Sequence, residues 1–582
     1  MRPTFLALLT LLVTPAAAQT TSVLTSSSAG IPADAPSLYA EISRDARFVA
    51  WQSVATTLVP GDANGRADVF RREIATGTTE LVSLAWNGAQ GDQDSLEPEL
   101  SADGRCVTFF SYATNLVPGD TNAKPDVFVR DTLLGTTELV SIGLGGAIDD
   151  GGNRYPTISH DGRFVAWESL STNLVAGDTN GLRDVFVRDR LLGTTSRVSV
   201  ASDGSQGNGD SSDANISGDG RYVAFESDAT NLVPGDTNGV TDVFVHDLWT
   251  GITVRASLAA SGAQGLQPSN DPYLCADGRC VAFDSRASTL VPGDNNGQID
   301  IFVKDLLTGA IERCSVDSAG VEADWDCYDP VLSPDGERVV FFSLASNLVP
   351  GDTNVVEDIF LHERTSGLTE RVSVGDAGQQ GNDACFYPAL SADGRLVAFD
   401  SFSSNLVAGD ANGTRDIFLR ERFSIFHSFC AGDGTLATPC PCANGGAPGR
   451  GCDNSASTGG ARLVAAGTVN PDQVRFDASG ELASSLSIFL QGDSITAAGS
   501  VFGDGVRCVA GALKRLYAKN AVAGVASAPV GSDLAVRQRS AQLGDPIPAG
   551  ATRWYQVYYR DPNAGFCPTA TFNVSNGVRV GW

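Results

Sequence analysis

Between residues 20 and 422, apolar positions recur in short alternating runs broken by Gly, Asp and Asn, never at helical spacing. Residues 215–227 and 242–258 are typical. They predict a strand over 215–217, a tight turn at Asp219-Gly220 and a second strand over 221–227. A third strand follows over 242–247, then a turn at Gly251 and a fourth strand over 253–258. In the second strand Val223 and Phe225 point one way and Tyr222 and Ala224 the other. A strand apolar on both faces belongs to a sheet covered on both sides.

The same pattern returns every 58 residues. Asp-Gly-Arg or a close variant starts at Asp45, Asp103, Asp161, Asp219, Asp277, Asp335 and Asp393. Leu-Val-(Pro/Ala)-Gly-Asp ends at Asp62, Asp120, Asp178, Asp236, Asp294, Asp352 and Asp410. A constant period marks one structural unit per repeat, and four antiparallel strands per unit is the pattern of a propeller blade. The seventh copy lacks its fourth strand. Stepping by 58 residues aligns residues 370–374 with 22–26, so the missing strand lies at the N-terminal end of the array. The expected fold class is all-β: a seven-bladed β-propeller over 19–422, closed by an N-terminal strand that leaves no open edge.

Residues 216–227, followed by Asp242-Val243-Phe244-Val245-His246-Asp247, resemble the TolB-type, WD40-like propeller repeat over roughly residues 20–422. That family includes periplasmic scaffold proteins, the non-catalytic propellers of some serine peptidases and a class of pectate-fragment lyases. The resemblance implies a fold and hardly a function. This chain departs from the short family repeat by a long connection between the second and third strands, residues 228–241 in the fourth copy.

That connection carries the one recurrent polar constellation: Asp62/Asn64/Asp68, Asp120/Asn122/Asp126, Asp178/Asn180/Asp184, Asp236/Asn238/Asp242, Asp294/Asn296/Asp300, Asp352/Asn354/Asp358 and Asp410/Asn412/Asp416. Oxygen donors at the first, third and seventh places of a Gly-containing loop suit Ca2+. Glu168, Glu226, Asp284 and Asp400 are available as further carboxylates. The loop is not an EF-hand, and the same residues can cap their own backbone as Asx-turns.

The chain begins with Arg2, an apolar stretch over 5–13 and Ala16-Ala17-Ala18, which predicts a signal peptide over 1–18 cut before Gln19. No later segment reads as a membrane span. The expected protein is exported to the periplasm, cell envelope or medium, unanchored at this end and monomeric. With 68 acidic against 40 basic residues, the net charge of −28 disfavours nucleic acid as a partner. In an exported chain, 12 cysteines permit disulfides. Cys275 and Cys280 flank one turn and are placed to bridge it, Cys314 reaches toward Cys327, and Cys106 and Cys385 are left over.

Composition shifts after Phe429. A cysteine-rich stretch over 423–460 predicts a disulfide knot, with all six tail cysteines pairing among themselves. Residues 461–582 predict a β-sandwich-like domain in which the aromatics of 553–560 pack the core. Phe502-Gly503-Asp504-Gly505-Val506-Arg507-Cys508, 544–548, 554–562 and 571–577 resemble an uncharacterised C-terminal module of secreted proteins from planctomycete-like and myxobacterium-like bacteria. A bacterial origin implies that Asn573-Val574-Ser575 is not glycosylated.

For chemistry the chain offers His160, His246, His362 and His427, all expected on the surface. It has no HExxH, GxSxG, phosphate-loop or dinucleotide motif. The function expected is a non-catalytic extracellular binding or scaffold protein with a protein or glycan ligand. Two alternatives stand beside it: a carboxylate- or metal-dependent polysaccharide lyase or hydrolase, which carboxylates converging in one pocket would favour, and a calcium-stiffened structural protein of the cell envelope.

Overall fold

The computed structural model describes residues 20–422, 426–429, 440, 450–458, 460–466, 472, 474–502, 505–548, 551–561 and 572–582. The predicted leader over 1–18, Cys430, Cys442, Cys567 and most of the cysteine-rich stretch lie outside them. The fold is almost entirely β. It divides into one compact unit spanning Gln19–Arg422 and a second containing Phe423–Trp582.

The first unit contains seven four-stranded antiparallel sheets, one per repeat. In the fourth repeat the strands are Ser211–Ile216, Tyr222–Ser227, Asp242–Asp247 and Ile252–Arg255. The first strand thus begins earlier, and the fourth ends sooner, than the alternation predicts. In the seventh sheet the fourth place is taken by Thr20–Val23, antiparallel to Asp416–Glu421 with Thr20 opposite Glu421 and Val23 opposite Phe418.

Each sheet is held by an aromatic pair across its two central strands. Phe225 faces Phe244 with ring centroids 5.9 Å apart, and Trp51 faces Phe70 at 6.3 Å. These four side chains are fully buried. Successive sheets share apolar clusters, and one cluster joins Leu396, Ala398 and Ile417 of the last repeat to Ile42, Trp51 and Phe70 of the first.

The recurring turn has a specific chemistry. Ser217 Oγ accepts the N–H of Tyr222 at 2.9 Å and donates to Asp219 Oδ1 at 2.6 Å, while Arg221 forks onto both oxygens of Asp247. Gly220 has φ +71°, and a Cβ there would meet Phe164 of the preceding repeat at 2.4 Å. The glycine is therefore required twice, by conformation and by contact.

Cys275 occupies the serine place of this turn. Its sulfur accepts the N–H of Cys280 at 2.9 Å and donates to Asp277 Oδ1 at 3.1 Å. The expected Cys275–Cys280 and Cys314–Cys327 bridges are absent. All six repeat cysteines are buried free thiols.

In the second unit a five-stranded sheet runs in the order Phe426–Phe429, Phe572–Gly581, Thr552–Arg560, Leu486–Gly492, Lys514–Asn520. A three-stranded sheet of Arg462–Ala466, Arg475–Ser479 and Val525–Ala528 shares its core through Phe476, Phe489, Tyr555 and Trp582. The short helix Val536–Gln542 was not anticipated. Seven residues are too few for a 3.6-residue period to declare itself. Cys440 bonds Cys452, and Cys508 is also disulfide-bonded. Asn573 is fully buried and donates to the carbonyls of Cys452 and Asp453, which leaves no amide for a glycan.

Candidate functional site: an acidic and aromatic cavity

The register of each first strand slips against the second. In the fourth repeat Ser212 pairs with Glu226 and the next pair is Asn215 with Ala224, which leaves Asp213 and Ala214 as a bulge. The bulged residue is left-handed in all seven repeats: Tyr39 (φ +55°), Glu97 (+51°), Tyr155 (+50°), Asp213 (+46°), Asp271 (+50°), Asp329 (+50°) and Tyr387 (+48°). Non-glycine residues held there are strained, a condition that concentrates at functional sites. These seven side chains line a single cavity of about 430 Å³. Five are followed by proline, which needs no hydrogen-bond acceptor at the bulge.

The cavity is two-sided in chemistry. Tyr39 and Tyr387 lie with ring centroids 4.3 Å apart, and Phe342, Phe386 and Tyr328 extend this aromatic side. On the other side, carboxylate oxygens of Asp213, Glu226 and Asp271 lie within 4.8 Å of one another, an arrangement able to chelate a divalent ion.

Glu168, Glu226, Asp284 and Asp400 stand behind this lining rather than with the Asp/Asn loops. Asp400 accepts the N–H of Tyr39 at 3.0 Å, and Glu168 accepts that of Asp213. Arg183 pairs with Glu168 and Arg415 with Asp400. The equivalent places in the fourth and fifth repeats hold Thr241 and Ile299, so Glu226 and Asp284 have no such cation. Burial, then the charges of Asp213 and Asp271, pushes Glu226 up to about 8. Burial pushes Asp329 and Glu97 up to about 8, and Asp284 well above the carboxylate range.

A narrower compartment holds Glu41, Glu99, Arg44 and His160. Arg44 donates to the Tyr273 hydroxyl at 2.6 Å. Burial and the Arg44 charge hold His160 down at about 4.

His246 and His362 are buried, contrary to the surface expectation. Each ring Nδ1 lies 2.9 Å from a threonine hydroxyl, of Thr253 and Thr369. They replace an arginine that bonds the same hydroxyl elsewhere, as Arg130 bonds Thr137 at 3.0 Å.

In each Asp/Asn loop the three residues do come together. Asn64, Asn122, Asn180, Asn238, Asn296, Asn354 and Asn412 each donate their amide to the last aspartate of their own loop, at 2.7–3.2 Å. In repeats three to six an arginine reaches both aspartates. Arg197 lies 3.2 Å from Asp178 and 3.2 Å from Asp184. Arg255 lies 3.0 Å from Asp236 and 2.8 Å from Asp242, Arg313 lies 3.4 Å from both Asp294 and Asp300, and Arg371 lies 3.0 Å from Asp352 and 3.3 Å from Asp358.

In those four repeats the arginine lies between the two aspartates of the loop, as Asp184 illustrates. Asp184 opens the strand Asp184–Asp189 and is fully buried. Its Oδ2 accepts from Asn180 and from Arg197, each at 3.2 Å, and its Oδ1 accepts from the Ser199 hydroxyl. Both oxygens of Asp184 are thus engaged by the protein itself, and one guanidinium offsets part of the charge of the two aspartates. Asp184 is thus ion-paired within its own sheet, and the same holds for Asp242, Asp300 and Asp358 with their arginines. Loop spacing could not reveal this, because the arginine comes from the fourth strand. Replacing Arg255 by Met strands two buried carboxylates and is expected to cost roughly 3–5 kcal/mol. Urea denaturation measures it, and a loss within experimental error would contradict the pairing.

Sequence reasoning missed the cavity-lining positions. Their signal was a residue followed by proline inside a strand, at the repeat period, as in Glu97-Pro98, Asp271-Pro272 and Asp329-Pro330.

No family model and no curated protein matches the chain. Solved structures do. An oligogalacturonate lyase in complex with manganese is 12% identical, over 70% of this chain and 98% of its own, with a TM-score of 0.43. TolB from Acinetobacter baumannii is 14% identical, over 68% of this chain and 82% of its own, with a TM-score of 0.31. These are distant likenesses, and no ligand or activity passes from those proteins to this chain. Among the described residues no helix is long and apolar enough to cross a membrane.

Proposed function

We propose that the seven sheets are the blades of a closed seven-bladed propeller, and that the protein is an exported, monomeric, non-catalytic binding protein. Its ligand is a short glycan held in the cavity. A sugar ring stacks on Tyr39, Tyr155 and Tyr387 while its hydroxyls donate to the acidic side, where Asp213, Glu226 and Asp271 hold a divalent cation. The observation that carries this reading is the convergence of seven equivalent, strained residues, tyrosines and carboxylates, on one cavity.

Calorimetric titration of the full chain with a panel of neutral and acidic oligosaccharides tests it. Binding of at least one member is expected, weakened at least tenfold by Tyr39→Ala together with Tyr387→Ala, with the sugar recovered intact. Binding indifferent to both tyrosines refutes the site. The second reading, a carboxylate- or metal-dependent polysaccharide lyase or hydrolase, is favoured by the paired, proton-retaining carboxyls Asp271 and Asp284. Cleaved sugar in the same samples establishes it.

A further inference from the structure

We propose that the cavity is a cup with one mouth and a closed floor, so that the protein holds the end of a glycan chain and not a segment within it. This rests on the ligand being a glycan, as proposed above, and adds which part of the polymer is bound.

The first strands lead from the cavity to its floor. In the first repeat the strand Ser37–Ile42 runs from Tyr39 through Glu41 into the turn that begins at Ser43. One step below the bulged residues the cavity is lined by Glu41, Glu99, Thr157, Asn215, Tyr273 and Val331. Three of these tie each repeat to the next. Glu99, Thr157 and Asn215 accept the N–H groups of Ile158, Ile216 and Leu274 at 2.7, 3.1 and 2.8 Å.

At the next step the turns themselves meet. The Ala102 N–H donates to the His160 carbonyl and that of His160 to the Gly218 carbonyl, each at 3.0 Å, and Ala276 donates to the Pro334 carbonyl at 3.1 Å. Asp45 and Asp219 donate to the carbonyls of Ala102 and Ala276 at 3.1 and 3.2 Å. Ala392 donates to the Arg44 carbonyl at 3.3 Å, which returns the series from the last repeat to the first. Pro334 has no N–H to offer Ala392. Seven turns spaced as hydrogen-bonded neighbours, about 5.5 Å apart, make a ring only about 12 Å across between Cα atoms.

Two side chains fill that ring. Arg44 crosses from the first repeat to the fifth, where it donates to the Tyr273 hydroxyl at 2.6 Å, and it reaches the Leu390 carbonyl of the seventh at 3.4 Å. The His160 ring takes the space that Gly218 leaves, and a Cβ on Gly218 would collide with it. What remains is a compartment of about 10 Å³, enough for about one water molecule and not for a sugar ring.

The mouth lies at the other end of the strands. The residues before the bulge are Ser212 and Asn270 in the fourth and fifth repeats, but Tyr328 and Phe386 in the sixth and seventh. Rings follow one another from Tyr328 through Phe342 and Phe386 to Tyr387 and Tyr39, with centroids 5.5, 5.4, 6.2 and 4.3 Å apart. A chain whose end is seated on Tyr39 and Tyr387 leaves over this aromatic lip, where its next units stack on Phe386 and Tyr328.

Competition titration of the full chain tests the cup. The panel oligosaccharide that binds serves as the labelled reporter. Its parent polysaccharide competes in two forms of equal mass, intact and cut into short fragments by mild acid hydrolysis. Half-inhibition by mass is expected to improve by the same factor as the number of chain ends. Equal half-inhibition by mass, the mark of a protein that binds internal segments, overturns the proposal and leaves the glycan ligand standing. A panel in which no oligosaccharide binds removes the glycan ligand and the proposal with it.

Discussion

Deleting residues 20–26 is expected to destabilise the first unit by roughly 5 kcal/mol or more, far beyond an ordinary terminal trim. The segment supplies the outer strand of the last sheet. Leu24 lies in the apolar cluster that joins the last repeat to the first, and loss of a buried leucine side chain alone costs roughly 2–5 kcal/mol. Thr25 donates to the buried Asp416, and the Thr21 hydroxyl donates to the Val374 carbonyl at 2.6 Å. Removal also exposes Asp416–Glu421 as an unpaired edge, a template for aggregation. The midpoint in urea measures the loss, with Leu24→Ala as the milder variant. A deletion that costs less than about 1 kcal/mol contradicts a ring closed by this strand.

The second large effect is a fall in stability as pH rises from 5 to 8 in the presence of a chelator. Glu97, Glu226 and Asp329 are raised to about 8 in the fold, and Glu168 and Asp400 to about 7. In the unfolded chain such groups titrate near 4. Between those values the folded protein holds more protons than the unfolded one, so stability declines through that window. Asp305, lowered to about 2 chiefly by Arg279, acts oppositely, and its contribution is lost only below about pH 4. Greatest stability is therefore expected near pH 4 to 5, with a loss of at least about 3 kcal/mol by pH 8. Manganese or calcium should restore much of it at pH 8, because a bound cation replaces the protons. Thermal melts in chelator that are flat, or that rise, between pH 5 and 8 contradict the buried acidic clusters.

Much of the array was legible in the sequence because its chemistry repeats at one interval. Asp219-Gly220-Arg221 announces a turn whose glycine and arginine each have a fixed partner, and the 58-residue step finds the displaced strand at Thr20–Val23. The cavity was not legible for the opposite reason. Its seven positions hold tyrosine, glutamate or aspartate in turn, so only the proline that follows five of them recurs, and a bulge rather than strand alternation aims them.

Long-range partners were hidden as well. Arg197 lies 13 residues beyond Asp184, and Arg255 lies 19 beyond Asp236, with nothing local to tie either pair. Cys275 was misread because a thiol standing in for serine is indistinguishable in sequence from half of a disulfide. His246 was misread because it fills a place that its sister repeats give to arginine, a residue usually at the surface.

The acidic cavity is the centre of this account, and a manganese-edge anomalous map addresses it most directly. Crystals soaked in manganese chloride at pH 8 should show an anomalous peak in the cavity, coordinated by Asp213, Glu226 and Asp271. A cavity with no anomalous density, its three carboxylates turned apart while manganese occupies other sites on the protein, would contradict it.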